Sequence, residues 1–123
     1  MAVLGVREIK AFVPARNYER SKAFYQALGF ELGSDTEGIA YFYRGSSAFL
    51  LQDFYRQEHA ENFMMHLLVD DVAAWHQQIQ AKEIPERFSV RLSPVEIQPW
   101  GMRDFTLTDP TGVLWRIAEL VDT

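Results

Sequence analysis

Hydrophobic and polar positions alternate along most of this chain, and twice the alternation gives way to a helical period. Val6 to Val13 carries Ile9, Ala11 and Val13 on one side and Lys10 and Phe12 on the other, a strand closed by Pro14. Tyr18 to Leu28 sets Ala23, Phe24, Ala27 and Leu28 at helical spacing, with Asn17 as cap and Gly29 as stop. Phe30 to Leu32 begins a short strand that Ser34-Asp35-Thr36-Glu37-Gly38 turns. Ile39 to Arg44, the turn Gly45-Ser46-Ser47 and Ala48 to Asp53 make strand, turn and strand. Phe54 to Asn62 is polar and loop-like, with room for one helical turn.

The pattern then restarts. Phe63 to Val69 alternates, with Met65, Leu67 and Val69 opposite Met64, His66 and Leu68. Asp70 or Asp71 caps a helix running to about Lys82, whose core side holds Val72, Trp75 and Ile79. Glu83 to Ser89 reads as a connector containing Pro85, and Val90 to Gln98 as a strand interrupted by Pro94. Met102 to Thr108 puts Arg103, Phe105 and Leu107 opposite Asp104, Thr106 and Thr108. Asp109-Pro110-Thr111-Gly112 is strong turn chemistry. Val113 to Val121 alternates again, with Val113, Trp115 and Ile117 opposite Leu114, Arg116 and Ala118. Both halves therefore read strand, helix and three strands: an internal βαβββ duplication in a single domain, 1–123, with modules at about 6–55 and about 62–121. Each sheet buries one face under its helix, and the two remaining faces make a cup. The second parity gives that cup Lys10, Phe12, His66, Leu68, Leu114, Arg116 and Ala118, and aligning the two hairpin turns adds Phe49 and Leu51.

Composition narrows the class. Hydrophobic residues at 48% and charged residues at 24% suit a globular domain with a real core. No apolar run approaches a membrane span, and the N-terminal segment lacks the basic-then-apolar design of a signal peptide. The absence of cysteine removes thiolate chemistry and fits a cytoplasmic location. A net charge of −5 argues against nucleic acid as a partner. It leans towards a cationic ligand, although mild acidity also serves solubility.

Four segments carry a family likeness: Glu19-Arg20-Ser21-x-x-Phe24-Tyr25-x-x-Leu28-Gly29-Phe30; His66-Leu67-Leu68-Val69-Asp70-Asp71-Val72; Pro99-Trp100-Gly101 with Arg103-x-Phe105; and Asp109-Pro110-x-Gly112. Spread over almost the full length, they resemble the vicinal oxygen chelate superfamily of glyoxalase I, extradiol dioxygenases, and fosfomycin and bleomycin resistance proteins. Gln98-Pro99-Trp100-Gly101, the Asp-Pro-x-Gly turn and the late Ala118-Glu119 are most similar to the bleomycin resistance branch. The resemblance implies an α+β fold of two βαβββ modules forming a cup-shaped mixed sheet with helices on its outer face. It also implies a homodimer with small-molecule pockets in the cups.

Metal-dependent members of this family place ligands at four strand positions, which fall here on Lys10, on Leu51 or Gln52, on His66 and on Arg116. Only His66 could ligate, and two cations at ligand positions repel a divalent ion. No metal site is expected, unless the register shifts so that His66 gains Glu8 or Glu119; alternation sets Glu119 on the opposite face from Arg116. His59 and His76 lie in a loop and on the polar side of a helix, and Ser46-Ser47 has no catalytic partner within reach by sequence.

A metal-free cup then offers Phe12, Phe42, Phe49 and Trp100 as aromatic walls, with Lys10, His66, Asp104, Thr106 and Arg116 as polar groups. Trp75 and Trp115 are assigned to the core. In bleomycin-binding relatives an acidic cleft holds a cationic, flat glycopeptide between aromatic rings. Trp100 matches one side of that clamp, but Glu31 to Glu37 supplies no aromatic for the other, and Lys10 and Arg116 suit an anionic ligand as well. The expectation is a binding module without a cofactor that sequesters an antibiotic-like molecule. The alternatives are a metal-dependent lyase, dioxygenase or thiol transferase, and a dimeric scaffold without a ligand.

Overall fold

The computed structural model describes residues 3–121, so residues 1–2 and 122–123 of the expected domain lie outside the described residues. The first module contains β1 (Phe12–Pro14), α1 (Tyr18–Leu28), β2 (Glu31–Thr36), β3 (Ile39–Arg44) and β4 (Ser47–Gln52). After α2 (Gln57–Glu61), the second contains β5 (Met64–Leu68), α3 (Val72–Ala81), α4 (Ile84–Phe88), β6 (Glu96–Gln98), β7 (Met102–Thr108) and β8 (Leu114–Leu120). The sheets have orders β1-β4-β3-β2 and β5-β8-β7-β6. In each, the first strand lies parallel to the last and the other pairs are antiparallel. The parallel pairing needs a long crossover, which α1 and α3 provide.

Local chemistry sets the helix ends. The Asn17 side chain accepts the Arg20 N–H at 3.1 Å, and Gly29 closes α1 at φ 117°, a conformation that favours glycine. Asp71, not Asp70, caps α3 by accepting from the Ala74 N–H. Ser21, Phe24, Tyr25 and Leu28 form the buried stripe of α1.

One core joins the modules, with Phe24, Tyr25, Phe42 and Phe49 from the first meeting Phe105, Trp115 and Ile117 from the second. Tyr25 is its hub: its ring centroid lies 4.8 Å from that of Phe49 and 5.6 Å from that of Trp115. Its buried hydroxyl donates to Asp109 Oδ2 and accepts from Trp115 Nε1 at 2.9 Å. Asp109 Oδ1 accepts the backbone N–H groups of Thr111, Gly112 and Val113. The Asp-Pro-Thr-Gly turn is thereby bolted to α1 of the other module. Burial raises the Asp109 carboxyl above its ordinary 3.8, and burial also pushes the Tyr25 phenol well above 10.0.

Several elements differ from the sequence pattern. The expected strand Val6 to Val13 is reduced to Phe12–Pro14. Val3, Leu4, Val6 and Ile9 precede it as an exposed arm, each at least 85% accessible, because no neighbouring strand in this chain takes up their backbone. β2 runs through the expected turn to Thr36 with a bulge between Leu32 and Ser34. Gly33 at that bulge permits a close approach, since a Cβ there would lie 2.7 Å from Tyr41 Cδ2. The connector after Glu83 folds as α4, because Pro85 sits in the first turn, where its missing N–H costs nothing. Ile84 and Phe88 are buried in the core. Val90 to Gln98 yields only β6 and a bridge between Leu92 and Leu107, the interruption falling at Pro94 as its missing donor requires.

Candidate functional site

Each sheet buries its helix-facing side and leaves the other side open. On the second sheet the open row crosses three strands. His66 on β5 lies opposite Arg116 on β8, which lies opposite Thr106 on β7. Arg116 Nη1 donates to Asp104 Oδ2 at 2.8 Å, and Gln98 Nε2 donates to Asp104 Oδ1 at 2.9 Å. Asp104 is 2% exposed, so the pair is largely withdrawn from water and the positive charge of Arg116 is met locally. Trp100 stands over this ion pair, its ring 5.9 Å from the Arg116 guanidinium carbon, and is 59% exposed. Exposed Met64 and Leu68 flank His66. The structure thus brings Trp100, Asp104, Thr106, Arg116 and His66 onto one face.

The first sheet supplies a different set from the one expected. Phe42 and Phe49 are buried in the core, where their rings stack 5.5 Å apart beneath Tyr25. Leu51 is buried with them, and the residues sharing the open face are Phe12, Leu50 and Tyr41 in one row and Ala48 and Tyr43 in the next. The cause is turn length. The first hairpin closes over Gly45-Ser46, the second over Asp109 to Val113, and aligning unequal turns slips the register by an odd number, which exchanges the faces. Phe12, at 48% exposed, keeps its expected place.

Sequence reasoning missed Tyr41 and Tyr43. Their rings stack on the open face, 5.7 Å apart and 24° from parallel, above the Gly33 bulge. The Tyr41 hydroxyl donates to Glu8 Oε2 at 3.0 Å, and that hydrogen bond raises its phenol above 10.0; Glu31 does the same for Tyr43. Lys10 Nζ lies 5.7 Å from the Tyr41 ring centre and 3.8 Å from Glu8 Oε1, so this cation too has a carboxylate beside it. The signal was present in Ile39-Ala40-Tyr41-Phe42-Tyr43, where alternation forces Tyr41 and Tyr43 onto the face opposite Phe42.

A cavity of about 450 Å3 opens between the sheets, floored by Phe30, Phe49 and Trp115 and edged by Glu8, Ser46, Ser47 and His66. Ser46, Ser47 and His66 line this one cavity, and no hydrogen bond joins them among the described residues. His76 packs edge-on against Phe105 and meets the Ser93 carbonyl at 2.9 Å, half-buried rather than on the polar side of its helix. Trp115 is in the core, whereas Trp75 is only half-buried against it.

The donor set does not suit a divalent cation. Lys10 and Arg116 occupy two of the four strand positions, and of the residues read for a third, Leu51 points into the core. Glu119, which a shifted register would recruit, instead accepts from the Val72 N–H at 3.3 Å and from Arg103 at 3.5 Å on the helix side of the sheet. Glu8 is held by Tyr41.

A profile of the Glyoxalase/Bleomycin resistance protein/Dioxygenase superfamily matches residues 9–117. The chain belongs to this superfamily. It is 30% identical to the bleomycin resistance protein of Klebsiella pneumoniae over 113 residues, 87% of each chain. The crystal structure of a bleomycin-binding protein in complex with bleomycin superposes with a TM-score of 0.79 at 26% identity, covering 93% of this chain and 98% of that one. A lactoylglutathione lyase from Agrobacterium tumefaciens shares the fold alone, with a TM-score of 0.69 at 18% identity over 94% of this chain and 95% of its own. Binders and enzymes of the superfamily thus share this fold, and the side chains of the open faces must separate them.

Proposed function

We propose that this member of the superfamily binds a planar, antibiotic-like small molecule of the bleomycin kind without a metal, and acts by sequestering it. The observation that carries the reading is the exposed Trp100 ring standing over an Arg116–Asp104 pair at a position that metal-dependent relatives would give to a ligand. A flat ligand stacked on Trp100 gains aromatic area, and Thr106 and His66 beside it offer polar contacts. The stacked Tyr41–Tyr43 pair supports a second aromatic wall. The charge balance also suits a cationic ligand, since Glu8, Glu31 and Asp104 stand against Lys10 and Arg116.

The same reading takes the protein as a cytoplasmic homodimer. An arm with Val3, Leu4, Val6 and Ile9 in water, and open faces carrying Phe12, Met64, Leu68 and Trp100, favour association with a second copy. Among the described residues no helix is long and apolar enough to cross a membrane.

Titration with bleomycin, followed by tryptophan fluorescence, tests the proposal. Trp100→Ala is expected to weaken binding by about tenfold or more while the melting temperature stays within about 2 °C. A large loss of stability with unaltered affinity would return Trp100 to a structural role.

A further inference from the structure

We infer a second small-molecule site, with Trp100 absent from its lining, in the groove between the modules where α1 ends against α3, and we assign it to a planar aromatic carboxylate. Two adjoining cavities share Arg44, Ala74 and Trp75. One, of about 350 Å3, is also lined by Leu28, Gly29, Gln78 and Lys82. The other, of about 590 Å3, runs on past Phe30 and Leu68 to Asp70 and Asp71. Both volumes lie within the range of small-molecule pockets.

The smaller lobe carries two cations in a protein whose net charge is −5. Arg44 donates to the Gly29 carbonyl at 2.8 Å and Lys82 to the Ala27 carbonyl at 3.0 Å, so the last turn of α1 holds both heads over the groove. Neither pairs with a carboxylate among the described residues. Arg has five N–H donors and Lys three, and a single side-chain bond engages each here, so most donors remain for an anion. Trp75 supplies the flat wall: it is half-buried, and the Arg44 guanidinium carbon lies 5.1 Å from its ring centre. A ring packed on Trp75 beside the guanidinium that already lies over it would bring its carboxylate to the Arg44–Lys82 pair, where charge-assisted bonds are strong and directional. The opposite sign of the other lobe, at Asp70 and Asp71, fixes the orientation, since a carboxylate placed there would be repelled. A ligand held in the smaller lobe touches residues of both modules and none of the open-face set, although Leu68 of the larger lobe belongs to that face.

The test is calorimetric titration of the full chain with naphthalene-2-carboxylate and with its neutral carboxamide. Saturable binding of the carboxylate at one site per chain is expected, about tenfold or more tighter than the amide. The Arg44→Gln/Lys82→Gln double variant should lose at least about tenfold of that affinity, whereas Trp100→Ala should leave it unchanged. Both cations are exposed, so the double variant should fold, and the acid-against-amide comparison on the unaltered protein stands without it. Equal affinity for acid and amide, no saturation of the carboxylate isotherm, an unaffected double variant, or a loss in Trp100→Ala would each overturn the assignment. Failure of bleomycin binding would leave this site untouched, because none of the residues lining its smaller lobe lies on the Trp100 face.

Discussion

Tyr25→Phe removes one oxygen from the centre of the core and nothing else. Its hydroxyl lies between Asp109 Oδ2 and Trp115 Nε1, and Tyr25, Asp109 and Trp115 are 0%, 2% and 2% exposed. Without it, a carboxylate oxygen and an indole N–H both lose their partner where water cannot replace it. Each buried orphan costs about 1–3 kcal/mol, so the two together cost about 2–6 kcal/mol at neutral pH. The cost should also depend on pH. Burial holds the Asp109 carboxyl above 3.8 in the folded protein, so its contribution to stability is fully present below that value and is lost as pH rises through the folded one. The Tyr25 hydrogen bond favours the carboxylate, and losing it lifts the folded value further. The deficit of the variant should therefore be smaller on the acid side, where the Asp109 carboxyl is protonated, and grow as pH rises through its folded value. Urea unfolding at fixed protein concentration measures the difference at each pH. A deficit below about 1 kcal/mol that stays flat across this range would refute the reasoning.

Glu119→Ala should cost about 1 kcal/mol in urea unfolding through loss of its bond to the Val72 N–H at the start of α3, and should leave metal uptake unaltered; reduced uptake would make Glu119 a ligand. Gly33→Ala puts a Cβ 2.7 Å from Tyr41 Cδ2, and should cost about 1–2 kcal/mol and change the near-ultraviolet circular dichroism of the tyrosine stack. A chain beginning at Ala11, and so lacking the exposed apolar arm, should sediment as a monomer or dissociate at higher concentration than the full chain.

Strong local chemistry was legible without coordinates. Asn17 and Gly29 bound α1, the Asp109 turn closes its hairpin, and Asp104, Thr106 and Arg116 share a face because alternation along β7 and β8 required it. What failed depended on pairing between strands. Phe49 alternates as cleanly as Trp115, and only its partners, Phe42 on β3 and the β1 register, reveal which face looks inward. Arg116 reads as a bare cation in the sequence, because its carboxylate, Asp104, comes from the neighbouring strand. The apolar arm alternates like a strand but has no strand to join within one chain. Glu83 to Ser89 reads as a connector containing Pro85, although the first turn of a helix accepts proline.

The central claim is that a flat small molecule binds over Trp100 without a metal. The most direct measurement is a fluorescence titration of chelator-treated protein with metal-free bleomycin, repeated after addition of zinc, manganese, nickel or iron(II). The account predicts saturable quenching at the outset, its affinity lowered by about tenfold or more in Trp100→Ala and indifferent to added metal. Binding that appears only once a metal is supplied, with that metal retained through His66, would contradict it.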